Sequence, residues 1–395
     1  MSNKSVVVWG AGRIGRGFAA DLFHAAGYHI TLVDQVTSLV ERLRAAGRYT
    51  VVKAESAGRR RDEVIAGYTA LSTAQAEEVV AAIAAADSVV VAVFPQEFPH
   101  VARQLAAGLL RRHSNRPEAA LDILVCTNLS NAAEQFQALL VQALPSQMQK
   151  YAAERIGVVG TVTIRAVADP PPELLESDPL VVLTDGFEDF PVARQAFKGD
   201  IPHIPGLRPV DDLHAEEIRK LYTYNMCHAA LAYLGARRGH ILSVDCFADP
   251  WVRAKVEGAL QETSRVLQAG CGFSESDMDS WIAAMLSRVN NPALGDRIAR
   301  LGGDPRRKLR RDDRLVGPAL LARRHGIRPV HLARTVAAGL LFQNPDDPGA
   351  VYVQERIAEL GVPAAVRDLC ELTPAEDDLV AMIVEAYQDL AGPVE

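Results

Sequence analysis

Within the stretch LHAEEIRKLYTYNMCHAALAYL, residues 213 to 234, a short polar set sits among apolar side chains: Glu217, Lys220, Tyr224, Asn225 and His228. At about 100° per residue these five fall within one arc of roughly 140° on an otherwise apolar helix. Burying a lysine, an asparagine and a histidine together is costly unless they serve one another or a ligand. Desolvation lowers a lysine pKa, which suits a general base working near neutral pH. The plain alternative is a lysine whose stem reaches solvent, beside an asparagine and a histidine satisfied in a core. For Glu217, one turn before Lys220, a proton relay to water and a simple i,i+3 ion pair stand equally open.

A second chemical motif is Gly10-Ala-Gly12-Arg-Ile-Gly15, directly after the β-branched run Val6 to Trp9 and opening a helical pattern from Arg13 to Ala26. Gly10 permits a tight turn, Gly12 lets backbone approach a pyrophosphate, and Gly15 allows close helix–sheet contact. The helix N-terminal N–H groups then face the phosphates. Asp34 ends the next strand-like run, Ile30 to Val33. A carboxylate there accepts hydrogen bonds from a ribose 2′-hydroxyl and repels a 2′-phosphate, which favours NAD over NADP. Gly10, Gly12, Arg13, Ile14, Gly15 and Asp34 are therefore the expected cofactor contacts. A glycine turn in a sheet that binds nothing is the competing reading.

Between Arg306 and Arg314 six of nine residues are basic, countered by Asp312 and Asp313. A solvated helix face is the default meaning of such a run. Nucleic-acid binding is disfavoured, because no aromatic residues interleave it and the chain as a whole is acidic, with 42 Lys and Arg against 49 Asp and Glu. Zinc is also disfavoured: Cys126, Cys227, His228, His240 and Cys246 show neither C-x-x-C nor H-E-x-x-H spacing. The expected metal set is none.

The elements that must position these groups divide at the turn-rich IPHIPGLRP, near residues 203–211. Before it, Val- and Ile-rich runs alternate with helical stretches: a helix over Thr73 to Ala86, a strand over 88–94, a helix from His100 to Arg112, and a strand over 122–126. Further strand candidates are Ile156 to Val162 and Leu180 to Thr184, and the basic stretch Arg59 to Arg61 reads as irregular. Such βα alternation implies a parallel sheet. After residue 212 helical periods dominate, broken near 235–239, 270–272, 302–305 and 344–349. The expected domains are 1–205, a Rossmann-type α/β unit with an extended parallel-plus-mixed sheet, and 206–395, a mostly α-helical substrate domain. At 395 residues and 49% apolar the chain is globular, and five scattered cysteines suggest no disulfide framework. No run spans a bilayer and the opening MSNKSVVVWGAG lacks a signal-peptide pattern, so a cytoplasmic protein without membrane partners is expected.

The spacing Lys220-x4-Asn225-x2-His228 resembles the signature of the polyol-specific long-chain dehydrogenases. Further similarity runs along the chain in GAGRIGRGF at 10–18, FKGDIPHIPG at 197–206, KLYTYNMCHAALAYLG at 220–235 and RIARLGGDPRRKLRRDDRLVGP at 297–318. Among the branches, that of the mannitol-1-phosphate dehydrogenases is the most similar. The resemblance implies metal-independent, NAD-dependent hydride transfer between a polyol or polyol phosphate and its ketose, with the active site in a cleft between the domains. It casts Lys220 as general base, Asn225 and Asn128 as amide donors to the developing alkoxide, and His228 as a holder of the reacting oxygen or a neighbouring hydroxyl. It assigns Arg300 and Lys308 to substrate, with Arg307 adding phosphate affinity, and it suggests a monomer.

Two positions depart from the family pattern. Thr127 stands where an acid usually precedes the catalytic asparagine, and Thr163 replaces the Asp of a V-D-R-I/M motif that otherwise keeps Arg165. Both remove negative charge and hydroxyl-accepting capacity. The substrate expected is therefore a related polyol, polyol phosphate or sugar acid rather than mannitol 1-phosphate itself. A keto-uronate reductase shares the same machinery, and a catalytically silent NAD-binding sensor is the reading from a different class.

Overall fold

Runs of β-branched residues form the strands of the first unit because their stiff side chains pack well on a pleated surface. They are β1 (Ser5–Trp9), β2 (His29–Asp34), β3 (Arg48–Ala54), β4 (Arg60–Ala66), β5 (Thr69–Ser72), β6 (Ser88–Val91), β7 (Leu121–Val125), β8 (Ile156–Gly160), β9 (Val167–Ala168), β10 (Val182–Thr184), β11 (Phe190–Ala193) and β12 (Leu207–Val210). The computed structural model describes residues 4–55 and 58–392, so the first three residues of the opening segment lie outside it. The chain divides into two units, Met1–Glu217 and Ile218–Glu395.

In the first unit six strands form a parallel sheet in the order β5-β2-β1-β6-β7-β8. Register is set by pairs such as Val8 with Leu32 and Val8 with Val90. A sheet buried on both faces explains the unbroken apolar runs. Val7 and Trp9 of β1 enter one core with Phe98 and Phe136, while Val6 and Val8 enter the other with Phe18, Phe23 and Tyr49. Helices Ala76–Ala85, Phe98–Asn115 and Ala132–Ala143 supply the first of these cores. The chain winds outward from β1 through β2 to β5, then crosses to β6, which makes β1 and β6 the topological switch point where such sheets take ligands.

The expected extension of this sheet forms a separate four-stranded one, β4-β3-β10-β9, of mixed direction. Its strand β4 occupies the basic stretch expected to be irregular. Only Ile65 of β4 is buried, so the strand offers no apolar alternation to read; backbone pairing with β3 makes it.

The second unit is helical. Helix Met226–Arg237 is buried almost all round and packs against helices Pro250–Cys271, Ile298–Gly302 and Val330–Leu341. The breaks fall where Gly and Pro stand in the sequence: after Arg237, at Gly272 in a left-handed cap, between Gly302 and Pro305, and between Leu341 and Pro348. Tyr233 donates its hydroxyl proton to the Gly302 carbonyl at 2.9 Å, fastening two of these helices. No helix of the described residues is long and apolar enough to cross a membrane.

Candidate active site

The glycine turn is built as a cradle. Gly10 has φ of 94°, and a Cβ there would lie 2.3 Å from the Ala92 carbonyl oxygen just past β6. A Cβ on Gly15 would lie 1.8 Å from the Gly10 carbonyl oxygen, so neither position admits a side chain. Gly12 differs: nothing lies within 4 Å of its absent Cβ. That open approach to backbone is what a pyrophosphate needs. Arg13 is exposed and pairs with Asp169, and Ile14 is half-buried. Asp34 accepts from Ala11 N–H at 2.7 Å and Val36 N–H at 2.8 Å. Each oxygen uses one of its two acceptor sites in this way, and the other remains for a ribose hydroxyl. The described residues therefore fit a dinucleotide.

Several supports of this cradle escaped the motif reading. The turn leads into a π-helical stretch, Gly15–Ala20, at the start of the expected helix. Gly17 is there because a Cβ would meet Val182 of β10 at 2.4 Å. Arg16 is buried; its guanidinium donates to the Ala11 carbonyl at 2.7 Å and to that of Leu180. Arg165, retained from the family motif, donates to the Gly17 carbonyl at 2.9 Å and pairs with Asp21 at 2.5 Å. Lys53 meets the same carboxylate at 2.8 Å, and all three side chains are at most 3% exposed. This buried trio ties the second sheet to the glycine helix.

Asn128 lies on the loop after β7, in the first unit. Its neighbour Thr127 donates its hydroxyl proton to the Val93 carbonyl at 2.8 Å. An ionised acid in that place has no proton to donate. The threonine thus fastens the loop of Asn128 to the loop after β6, the strand whose next residue abuts Gly10. Phe94, 74% exposed on that same loop at the switch point, is a further ligand-facing candidate that no spacing rule would have selected. Thr163 is half-buried and lies against the buried Cys126 thiol.

Lys220, Asn225 and His228 stand on one helical run: α over Leu213–Lys220, π over Leu221–Asn225, then α over Met226–Arg237. All three are half-buried, between the buried Thr223, Tyr224, Met226 and Cys227. Glu217 lies near His214, with 3.7 Å between its carboxylate oxygen and the ring Nδ1. The His228 ring packs edge-on against Tyr224, centroids 4.4 Å apart. Burial pushes the His228 imidazole down to about 3, helped by the positive charges of Arg300, Arg288, Arg314 and Lys308. At neutral pH the ring is uncharged, with one nitrogen to donate and one to accept.

The basic segment is thereby partly drawn to His228. Arg300 pairs with Asp296 and remains 54% exposed. Lys308 is buried and donates to the Leu301 carbonyl at 2.6 Å and to that of Gly303, leaving one of its three donors. Burial, with Arg314 and Arg307 nearby, pushes its ammonium down to about 7. Arg307 is engaged differently: Asp304 holds it at 3.1 Å and Asp313 at 3.2 Å. Arg288 is buried with its guanidinium 4.8 Å from the Tyr224 ring centroid, a position no motif had marked. Among the described residues no three His, Cys, Asp or Glu side chains gather as metal ligands.

Comparison with known proteins matches residues 4–206 to the mannitol dehydrogenase Rossmann domain and residues 212–391 to the mannitol dehydrogenase C-terminal domain. Among solved structures, a D-sorbitol dehydrogenase in substrate-free form superposes with a TM-score of 0.82 at 15% identity, over 98% of this chain and 93% of that one. Mannitol 2-dehydrogenase of Pseudomonas fluorescens, solved as a ternary complex with NAD and D-mannitol, gives 0.75 at 16% identity, over 99% and 92%. At such identities the likeness is one of fold.

Proposed function

The chain belongs to the mannitol dehydrogenase family, and from that premise we propose that it interconverts a polyol bearing an anionic group, such as a polyol phosphate, and the matching ketose, with NAD. The observation that carries this reading is the cationic surrounding of a neutral His228 on the helical run that also bears Lys220 and Asn225. Bound NAD supplies the acceptor for the hydrogen on the reacting carbon. Gly10 to Gly15 hold its pyrophosphate, and Asp34 takes the adenosine ribose while disfavouring a 2′-phosphate.

Lys220 is the general base: its amine takes the hydroxyl proton in oxidation, and its ammonium returns the proton to the carbonyl oxygen in reduction. Asn225 donates its amide N–H to the oxygen as negative charge develops, and Asn128 is proposed as the second amide. His228 donates to the reacting oxygen or a neighbouring hydroxyl without adding charge. Arg300, Lys308 and Arg288 hold the anionic end, and Arg307 contributes through its charge. No step requires a metal ion.

The two threonines in place of acids support a substrate other than mannitol 1-phosphate. A sugar acid is the second reading, favoured by the same cations, since a carboxylate suits guanidinium as phosphate does. The test is an NADH-absorbance screen of polyols, polyol phosphates and aldonates, with NADP as the cofactor control. The expected outcome is NAD-dependent turnover of a phosphorylated or carboxylated polyol and none with the neutral parent. Turnover of mannitol 1-phosphate at the level of an authentic member would refute the substrate assignment.

A further inference from the structure

The helical run changes its geometry between the lysine and the asparagine. Over Leu221–Asn225 it widens into a π turn, in which the Met226 N–H donates to the Leu221 carbonyl five residues back. On an α-helix, residues five apart point about 140° away from each other. Where the bond runs from i to i+5 they stand nearly one above the other, so the widened turn brings Lys220 and Asn225 toward one line. Such turns are rare, and something must hold this one open.

Two side chains outside the proposed chemistry are built into it. Thr223, fully buried, donates its hydroxyl proton to the Arg219 carbonyl at 2.5 Å. The Thr223 hydroxyl oxygen in turn accepts the Trp281 indole N–H at 2.8 Å. A threonine bonding four residues back commonly bends a helix; here the indole also fixes which way the hydroxyl turns. Trp281 belongs to helix Glu275–Val289 and is itself clamped, with the buried Arg219 guanidinium 4.3 Å from its ring centroid and 4.6 Å from that of Phe273. The bonds run in series from the Trp281 N–H through the Thr223 hydroxyl to the Arg219 carbonyl, which adjoins Lys220.

We propose that Thr223 and Trp281 are positioning residues that hold the π turn and thereby set the proton-transferring amine of Lys220 against the Asn225 amide. The proposal rests on the reading of Lys220 as the base. A displacement of about 1 Å in such a pair costs on the order of 10²-fold in rate.

The test compares Thr223→Val, Thr223→Ser and Trp281→Phe with the parent enzyme and with Lys220→Ala, measuring kcat, KM, the pH profile of kcat/KM and NAD affinity. Thr223→Val is expected to lower kcat for polyol oxidation by about 10- to 100-fold and move the acid limb of the profile, where the base gains its proton. KM and NAD affinity stay within about twofold, and Thr223→Ser restores the rate. Trp281→Phe, which keeps the ring and loses only the N–H, shifts the profile the same way and decides the matter if Thr223→Val does not fold. Folded variants with parental kcat and pH profile overturn the proposal, as does a loss shared equally by NAD affinity and not restored by serine. If Lys220→Ala itself keeps its turnover, the reading of the base fails instead, whatever the threonine variants do.

Discussion

At the scale of single residues the account turns on two perturbed groups, His228 and Lys308. His228 is held neutral by burial and by four surrounding cations, so it directs hydrogen bonds without competing for the base's proton. Lys308 titrates near 7, because burial and the nearby charges of Arg314 and Arg307 disfavour its ammonium. It is charged below that value and neutral above. Affinity for an anionic substrate should therefore weaken as pH rises through 7. The second ionisation of a phosphate, near 6, works in the opposite direction. Measured KM for a phosphorylated substrate is expected to rise across this range in the parent enzyme and to fall slightly in Lys308→Met, where only the phosphate ionises; a parallel rise in both would remove Lys308 from the substrate's surroundings. Lys220, Asn225, His228 and Asp34 were singled out by residue type and spacing, and Asn128 by the family resemblance alone. Arg288, Thr127 as a donor, and Trp281 were not, because each acts through a contact made by residues far apart in sequence.

At the scale of elements, two short π-helical stretches stand at the two chemical motifs, Gly15–Ala20 and Leu221–Asn225. A reading at a fixed 100° per residue finds such helices and misses these turns, since backbone register leaves no mark in an apolar pattern. The glycines separate into two kinds for the same reason. Gly12→Ala has room for its methyl group and should leave the melting temperature within a degree or two, while weakening NAD binding about tenfold or more. Gly15→Ala forces a methyl group onto the Gly10 carbonyl and should lower the melting temperature even without cofactor. Calorimetry with and without NAD distinguishes the two, and equal behaviour of the variants would contradict the cradle. The strand β4 shows the limit of patterning from the other side: it is mostly exposed and charged, so pairing with β3 defines it.

At the scale of the molecule, the alternating first half and helical second half were evident from periodicity, and the family match spans both, 4–206 and 212–391. The division of strands between two sheets was not evident, because it depends on which edges meet. The glycine turn, Asp34 and their buried supports all lie in the first unit. NAD at a hundred times its Kd should thus stabilise the protein by about 2.7 kcal/mol, and NADP at the same concentration by far less. Thermal unfolding checks this, and equal stabilisation by both would remove Asp34 from cofactor choice. The most direct test of the central claim is the turnover of Lys220→Ala alongside its NAD affinity. The account predicts that NADH formation falls by about 10²-fold or more while the dinucleotide binds as before. Undiminished turnover in that variant would contradict it.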